Sequence, residues 1–256
     1  MPRCIRLFVV ALFLCAAFTA VAQKRAITEK DIFQFNWAGD PQISPDGSRV
    51  AFVKVSVNEK KDGYDTSIWS VSTRGDEAPR RMTDGERDSS PRWSPDGKWL
   101  VFVRTPDAAP AAGGPARPPA PQLYMLPVAS GGESWRVTNL PRGAVNPAWS
   151  PDGKMIAFNS DTTAEELAKA GKREPKYATN KMERPDTGMD KPAEAANPEH
   201  ESDVKVITQS VYRFNGAGYR DPKHHQHIWV VAAPQSSEDA VTPQQLTSSK
   251  YDEGNI

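Results

Sequence analysis

Apolar positions along this chain gather in short bursts that return at a nearly fixed interval. Residues 50–53 (VAFV), 99–103 (WLVFV) and 155–158 (MIAF) are runs of β-branched, aliphatic and aromatic side chains. They are too short for buried helices and have the composition of buried strands. Each follows Ser-Pro-Asp-Gly, at 44–47, 94–97 and 150–153. Pro presets φ at the first central position of a turn, Asp suits the second and can bond its own backbone, and Gly takes the left-handed conformation that follows. The pattern predicts a tight hairpin with a Gly bulge. Before the second turn, Pro91-Arg92-Trp93 reads as a short strand. After each turn and its strand comes another apolar strand, at 68–71, 123–126 and 228–231. A short last strand then ends in an apolar residue and Thr, at 81–83, 136–138 and 245–247.

Four short strands per unit, repeated in series, are the pattern of β-propeller blades. The expected fold class is therefore all-β: an incomplete β-propeller of about three four-stranded blades plus the start of a fourth, with a short helical insertion. Blade 1 falls at about 33–84, blade 2 at about 85–140, blade 3 at about 141–248 and the opening of blade 4 at 249–256. A wheel usually closes with about four to eight blades. Three cannot close, so the sequence reads as the front part of a longer protein or a truncated gene product. Trp93 and Trp149, just before their turns, are expected to pack between blades.

Two segments break the repeat. Residues 106–121 (PDAAPAAGGPARPPAP) are of low complexity and suit a loop between two strands of blade 2. Residues 161–203 are charged and polar. There Asp161-Thr162-Thr163 can cap a helix over 164–170, with Gly171 as its stop. Strand patterning resumes at 204–208 and 210–214, and Asn215-Gly216 signals a turn. Insertions in repeat folds gather on one face and cover sites. This segment is thus the expected place of contact with a substrate or a second domain.

Composition narrows the setting. Residues 1–22 have Arg3 and Arg6 ahead of an apolar run, Leu7–Ala17, and end in Ala20-Val21-Ala22. That is the form of a signal peptide cut before Gln23, and it predicts export to a periplasm or beyond the cell with no membrane attachment afterwards. Both cysteines, Cys4 and Cys15, lie in this leader, so the mature chain carries no disulfide and no thiol chemistry. The whole chain has 32 basic and 32 acidic residues. No basic stripe points to nucleic acid.

Candidate chemistry is sparse. No G-x-S-x-G, phosphate-binding Gly loop or H-E-x-x-H occurs. His224-His225-Gln226-His227 could be imagined around zinc, but lacks a second ligand pair at helical spacing. A solvated loop ahead of the strand at Ile228 is the expectation. Asp46, Asp96 and Asp152 are accounted for by their turns without Ca²⁺. No metal and no cofactor are expected. Glu165 and Glu166, on the short helix, could grip a substrate amine by charge, or form an ordinary solvated helix face.

The repeated SPDG-plus-strand units behind a leader resemble two families. One is the propeller of the Tol–Pal system's periplasmic protein, a non-catalytic scaffold. The other is the N-terminal propeller of the prolyl oligopeptidase family of serine peptidases, in its dipeptidyl-peptidase and acylaminoacyl-peptidase branch. Residues 204–231 (VKVITQSVYRFNGAGYRDPKHHQHIWVV) favour the second, through Tyr212-Arg213, Gly218-Tyr219 and the His-Ile-Trp-Val-Val strand. This resemblance adds Tyr212 and Arg213 to Glu165 and Glu166 as substrate-contact candidates. It implies an α/β-hydrolase domain that supplies Ser, Asp and His, and a propeller that limits entry to short peptides. None of those three catalytic residues can be placed in this chain, which alone is expected to be inactive.

Overall fold

The computed structural model describes residues 25–106, 119–171 and 224–254, together with the backbone of 213–214 and 218–219. A 3₁₀ helix, Glu29–Gln34, precedes the first of three four-stranded antiparallel sheets. Sheet 1 is β1 (Asn36–Ile43), β2 (Arg49–Val57), β3 (Tyr64–Ser72) and β4 (Arg80–Arg81); sheet 2 is β5 (Asp88–Trp93), β6 (Trp99–Arg104), β7 (Gln122–Pro127) and β8 (Trp135–Arg136). Sheet 3 begins with β9 (Val145–Trp149) and β10 (Met155–Ser160). Helix α1 (Ala164–Gly171) follows, then a two-residue pair, β11 (Arg213–Phe214) with β12 (Gly218–Tyr219). Sheet 3 is completed by β13 (His227–Ala232) and β14 (Gln244–Gln245). Among the described residues no sheet closes on itself, and the fold is the expected incomplete propeller. The signal-peptide segment, the strand at 204–208 and Asn215-Gly216 lie outside the described residues.

The Ser-Pro-Asp-Gly turns are three copies of one structure. In the second, Ser94 Oγ donates to Asp96 Oδ1 at 2.6 Å and accepts the Trp99 N–H at 2.9 Å. Asp96 Oδ1 also takes the Lys98 N–H at 3.1 Å. The Gly97 N–H returns to the Ser94 carbonyl at 2.9 Å, with φ +71° at Gly97. Equivalent bonds form around Ser44 and Ser150. The serine hydroxyl is what the turn chemistry left unassigned: it holds the aspartate and the next strand at once.

The first strand of each sheet carries a bulge where Asp40, Ser90 and Asn146 adopt φ of 45°, 53° and 52°. Each precedes a proline, which has no N–H to give and is tolerated where a ladder is already broken. This lets β5 begin at Asp88, earlier than the strand expected at 91–93. The last strands differ from expectation too. Their ladders end before the Thr positions, because the side chain takes over from the backbone. Thr83, Thr138 and Thr247 accept the N–H of Ile68, Leu123 and Ile228 through Oγ1 at 3.1, 2.9 and 2.9 Å.

Sheets stack by a repeated two-faced rule. One face of sheet 2 presents Leu100, Phe102, Tyr124 and Leu126 to Ala51 and Ile68 of sheet 1. Its other face presents Val101, Val103, Leu123 and Met125 to Ile156, Phe158, Trp229 and Val231 of sheet 3. Both interfaces exclude water, and Phe102, Phe158 and Ile68 are fully buried. Burial of one such side chain stabilises by roughly 1.5–3 kcal/mol. Between sheets the indole N–H of Trp93 donates to the Gln42 carbonyl at 3.0 Å, and that of Trp149 to the Arg92 carbonyl at 3.1 Å. The packing role expected for these tryptophans is present, with a directional hydrogen bond added.

Candidate functional site

Antiparallel pairing fixes what lies at each end of the blades. The Ser-Pro-Asp-Gly turns join first to second strands at one rim. The connections from second to third strand, residues 58–63, 105–121 and 161–226, all leave from the opposite rim. The strand ends from which the two long insertions leave and the short helix therefore share one rim.

Helix α1 is set there by its own cap. Thr163 Oγ1 accepts the Glu166 N–H at 3.2 Å, and Glu166 Oε2 accepts the Thr163 N–H at 3.1 Å, a capping box. Leu167 packs against the core between sheets 2 and 3. Below the helix, Arg142 Nε pairs with Asp161 Oδ2 at 3.0 Å, and the Ser160 hydroxyl donates to the Gly143 carbonyl at 2.6 Å. The helix lies where the sequence places it.

The two glutamates of this helix part company. Glu166 is half-buried, with Oε1 3.3 Å from His224 Nε2 and 3.8 Å from Arg142 Nη1. With both oxygens engaged, it holds the helix in place. Glu165 is exposed, one position along. Tyr212 lies outside the described residues, and Arg213 is described only as backbone, paired with Tyr219 in β11–β12. These four residues are therefore not brought into one cluster by what the structure describes.

The histidines depart from expectation. They do not form a solvated loop: their side chains are only 16%, 21% and 13% exposed at His224, His225 and His227, and each faces a carboxylate. His227 Nδ1 lies 3.2 Å from Glu253 Oε2, and His225 Nδ1 lies 3.4 Å from Asp252 Oδ1. The Gln226 N–H donates to Asp252 at 2.9 Å, the Glu253 N–H to the Gln226 carbonyl at 2.7 Å, and Asn159 Nδ2 to the Glu253 carbonyl at 3.2 Å. The Thr247 hydroxyl, and after it His227, hold the Glu253 carboxyl below its ordinary range. Residues 252–253 are thereby stapled to the head of β13. Among the described residues no group of three His, Cys, Asp or Glu could hold a metal.

A concavity lies between sheets 1 and 2. It is a cleft of about 320 Å³ lined by Met82, Asp84, Arg104, Leu126, Glu133 and Ser134. Arg104 is engaged in it, with Nε and Nη2 on the buried Asp88 at 2.7 and 2.9 Å and its guanidinium 5.1 Å from the Tyr124 ring centroid. Among the described residues no nucleophile–base pair is present in either place.

No family model matches the chain. It is 42% identical over 137 residues to an uncharacterized peptidase, YuxL, of Bacillus subtilis, a match over 52% of this chain and 19% of that protein. It is 24% identical over 143 residues to dipeptidyl-peptidase 5 of Porphyromonas endodontalis, covering 55% of this chain and 18% of that one. Each match thus spans only about a fifth of the relative's length. Among solved structures, the acylaminoacyl peptidase of Pyrococcus horikoshii superposes with a TM-score of 0.52 at 16% identity, over 85% of this chain and 26% of that one. The resemblance read from the sequence, to the N-terminal propeller part of a prolyl oligopeptidase-family peptidase, stands.

Proposed function

We propose that this chain is the gating propeller segment of an exported serine-type peptidase that acts on short peptides, the nucleophile being supplied by a catalytic domain outside these residues. The observation that carries the reading is the shared rim. All three second-to-third-strand connections leave one side, and the acylaminoacyl peptidase superposes on 85% of this chain. In this reading the rim with α1 faces the catalytic domain. The loops and helix narrow the path of a peptide to a Ser that attacks its carbonyl and forms an acyl-enzyme. Glu165, exposed at that rim, is the carboxylate free to meet a substrate's amino group, while Glu166 keeps the helix in position. Tyr212 and Arg213 remain substrate-contact candidates of the same segment, and residues 1–22 are the signal for export.

The experiment uses two proteins: the chain itself and the longer product of the same reading frame. The longer product is expected to hydrolyse dipeptidyl or acyl-aminoacyl reporters and to lose that activity to a serine-directed inhibitor, while residues 1–256 alone show none. Shortening 172–203 in the longer product should raise cleavage of long peptides relative to short ones. Inhibitor-insensitive or absent hydrolysis in the longer product would leave a non-catalytic binding propeller as the function.

A further inference from the structure

One ion pair of sheet 2 has no counterpart in the sheets beside it. Arg104 at the end of β6 stands opposite Asp88 of β5, where sheet 1 sets Lys54 opposite Ala38 and sheet 3 has Ser160 in the place of Arg104. Asp88 is wholly buried and Arg104 mostly so. Taking two charges out of water costs free energy that an apolar pair there would not. The repeat therefore gives no reason for this pair, yet the chain is shaped around it. A Cβ on Gly85 would stand 2.5 Å from Asp88 Oδ1 and 2.7 Å from Arg104 Nε, so only glycine lets the backbone pass. Arg81 fixes the same stretch, donating from Nε to the Thr83 carbonyl at 2.6 Å and from Nη2 to the Asp84 and Gly85 carbonyls, each at 3.1 Å.

The cleft of about 320 Å³ lies against this pair. Its size is at the lower end of the range of about 300–1,000 Å³ for small-molecule sites. Asp88 takes the Nε and Nη2 edge of the guanidinium. Nη1 meets only the Ser134 hydroxyl, at a long 3.4 Å, and so has N–H capacity left for an anionic group. Asp84 is almost fully exposed and touches Arg104 Nη2 through Oδ1 alone, at 3.0 Å. Glu133, on the facing wall, is exposed as well. Three carboxylates to one guanidinium leave the cleft an excess of negative charge, which suits a cation. Met82 and Leu126 add an apolar surface. The places for anion and cation are joined by one hydrogen bond. They match opposite charges carried on a single carbon better than charges at the two ends of a peptide. We propose that this cleft binds a free α-amino acid with an apolar side chain, its carboxylate on Arg104 Nη1 and Ser134 Oγ, its ammonium on Asp84 and Glu133, and its side chain over Met82 and Leu126.

Titration of the whole chain with L-leucine, followed by amide chemical shifts, tests this. The shifts should saturate and centre on residues 82–85 and 132–134. Leucinamide, which lacks the carboxylate, and N-acetylleucine, which lacks the ammonium, should each bind at least about tenfold more weakly, each having lost a charge-assisted contact. Asp84→Asn together with Glu133→Gln should weaken leucine by a similar factor and leave N-acetylleucine within about twofold. Ser134→Leu, which fills the cleft, should abolish binding. Arg104 is left unaltered, because its removal would strand the buried Asp88. Near-ultraviolet circular dichroism checks the packing of each variant, and should Ser134→Leu unfold, the exposed pair of substitutions and the two leucine derivatives still decide. The titration needs no catalytic domain, so its failure would leave the peptidase reading to its own test. No saturable shift with leucine, leucinamide bound as well as leucine, or an affinity for leucine unmoved by the double substitution would overturn the proposal.

Discussion

At the rim of the Ser-Pro-Asp-Gly turns, the same hydrogen bonds recur three times within 0.1 Å of one another for the Ser–Asp and Asp–backbone pairs. At the opposite rim the three connections differ in length, and their described residues share no repeated set of contacts. One is a six-residue turn closed by the Asn58 N–H on the Gly63 carbonyl at 3.1 Å, and another carries a capped helix. The first rim is repeated because it registers the strands, a task every sheet has in common. The second is free to differ because its connections hang from strands already registered elsewhere. That freedom is what a binding surface needs, since long insertions on a rigid scaffold cost little in stability.

The comparison can be broken most severely at Gly143, which lies on the variable rim but behaves like a turn residue. Its φ is +96°, and a Cβ there would stand 2.6 Å from the Pro121 carbonyl oxygen, the acceptor of the Ala144 N–H. Gly143→Ala should cost about 3 kcal/mol, read as a shift in the denaturant midpoint. An effect below about 0.5 kcal/mol would show that this junction yields. On the repeated rim, Ser94→Ala removes two bonds from a buried hydroxyl and should cost about 2 kcal/mol in the same assay.

A pH titration sharpens the contrast. The Ser44 hydroxyl first, then Ser48, hold the Asp46 carboxyl down to about 2, and Ser94 and Ser150 lower Asp96 and Asp152 in the same way. Depressed carboxyls stabilise the fold fully above their unfolded value, about 3.9, and lose that contribution as pH falls through the folded value. Amide exchange at Ser48, Lys98 and Lys154, whose N–H groups these carboxylates accept, should therefore quicken below about pH 4 relative to the intrinsic rate. Unchanged protection down to pH 2, about the folded value of Asp46, would contradict it. Smallest of all, Glu165→Ala should leave the midpoint within about 0.5 kcal/mol, whereas Glu166→Ala, which opens the capping box, should cost about 1 kcal/mol. Equal effects would mean that the two glutamates do not divide their roles as their contacts suggest.

Much of the repeated rim was legible in the residues, because turn chemistry is local: Pro, Asp and Gly act within one turn of chain. The buried strands and their fourfold repeat within each blade were legible as well, from the apolar runs. The histidine cluster was not. His227 meets Glu253, which is 26 residues away, so no spacing rule within the HHQH motif could show that it is paired rather than solvated. The Thr at the close of each blade was visible as a repeat and taken for a strand end. Only coordinates reveal that its hydroxyl replaces the ladder. The candidate site was legible as a location, the charged segment and its helix, but the division between Glu165 and Glu166 depends on Arg142 and His224, contributed by other strands and loops.

The indoles of Trp93 and Trp149 each reach back to a carbonyl in the sheet made before their own, never forward. A polypeptide emerging from the ribosome is threaded out in that same direction. Sheets 2 and 3 thus each clamp onto an acceptor in residues that have already been synthesised when their own tryptophan emerges.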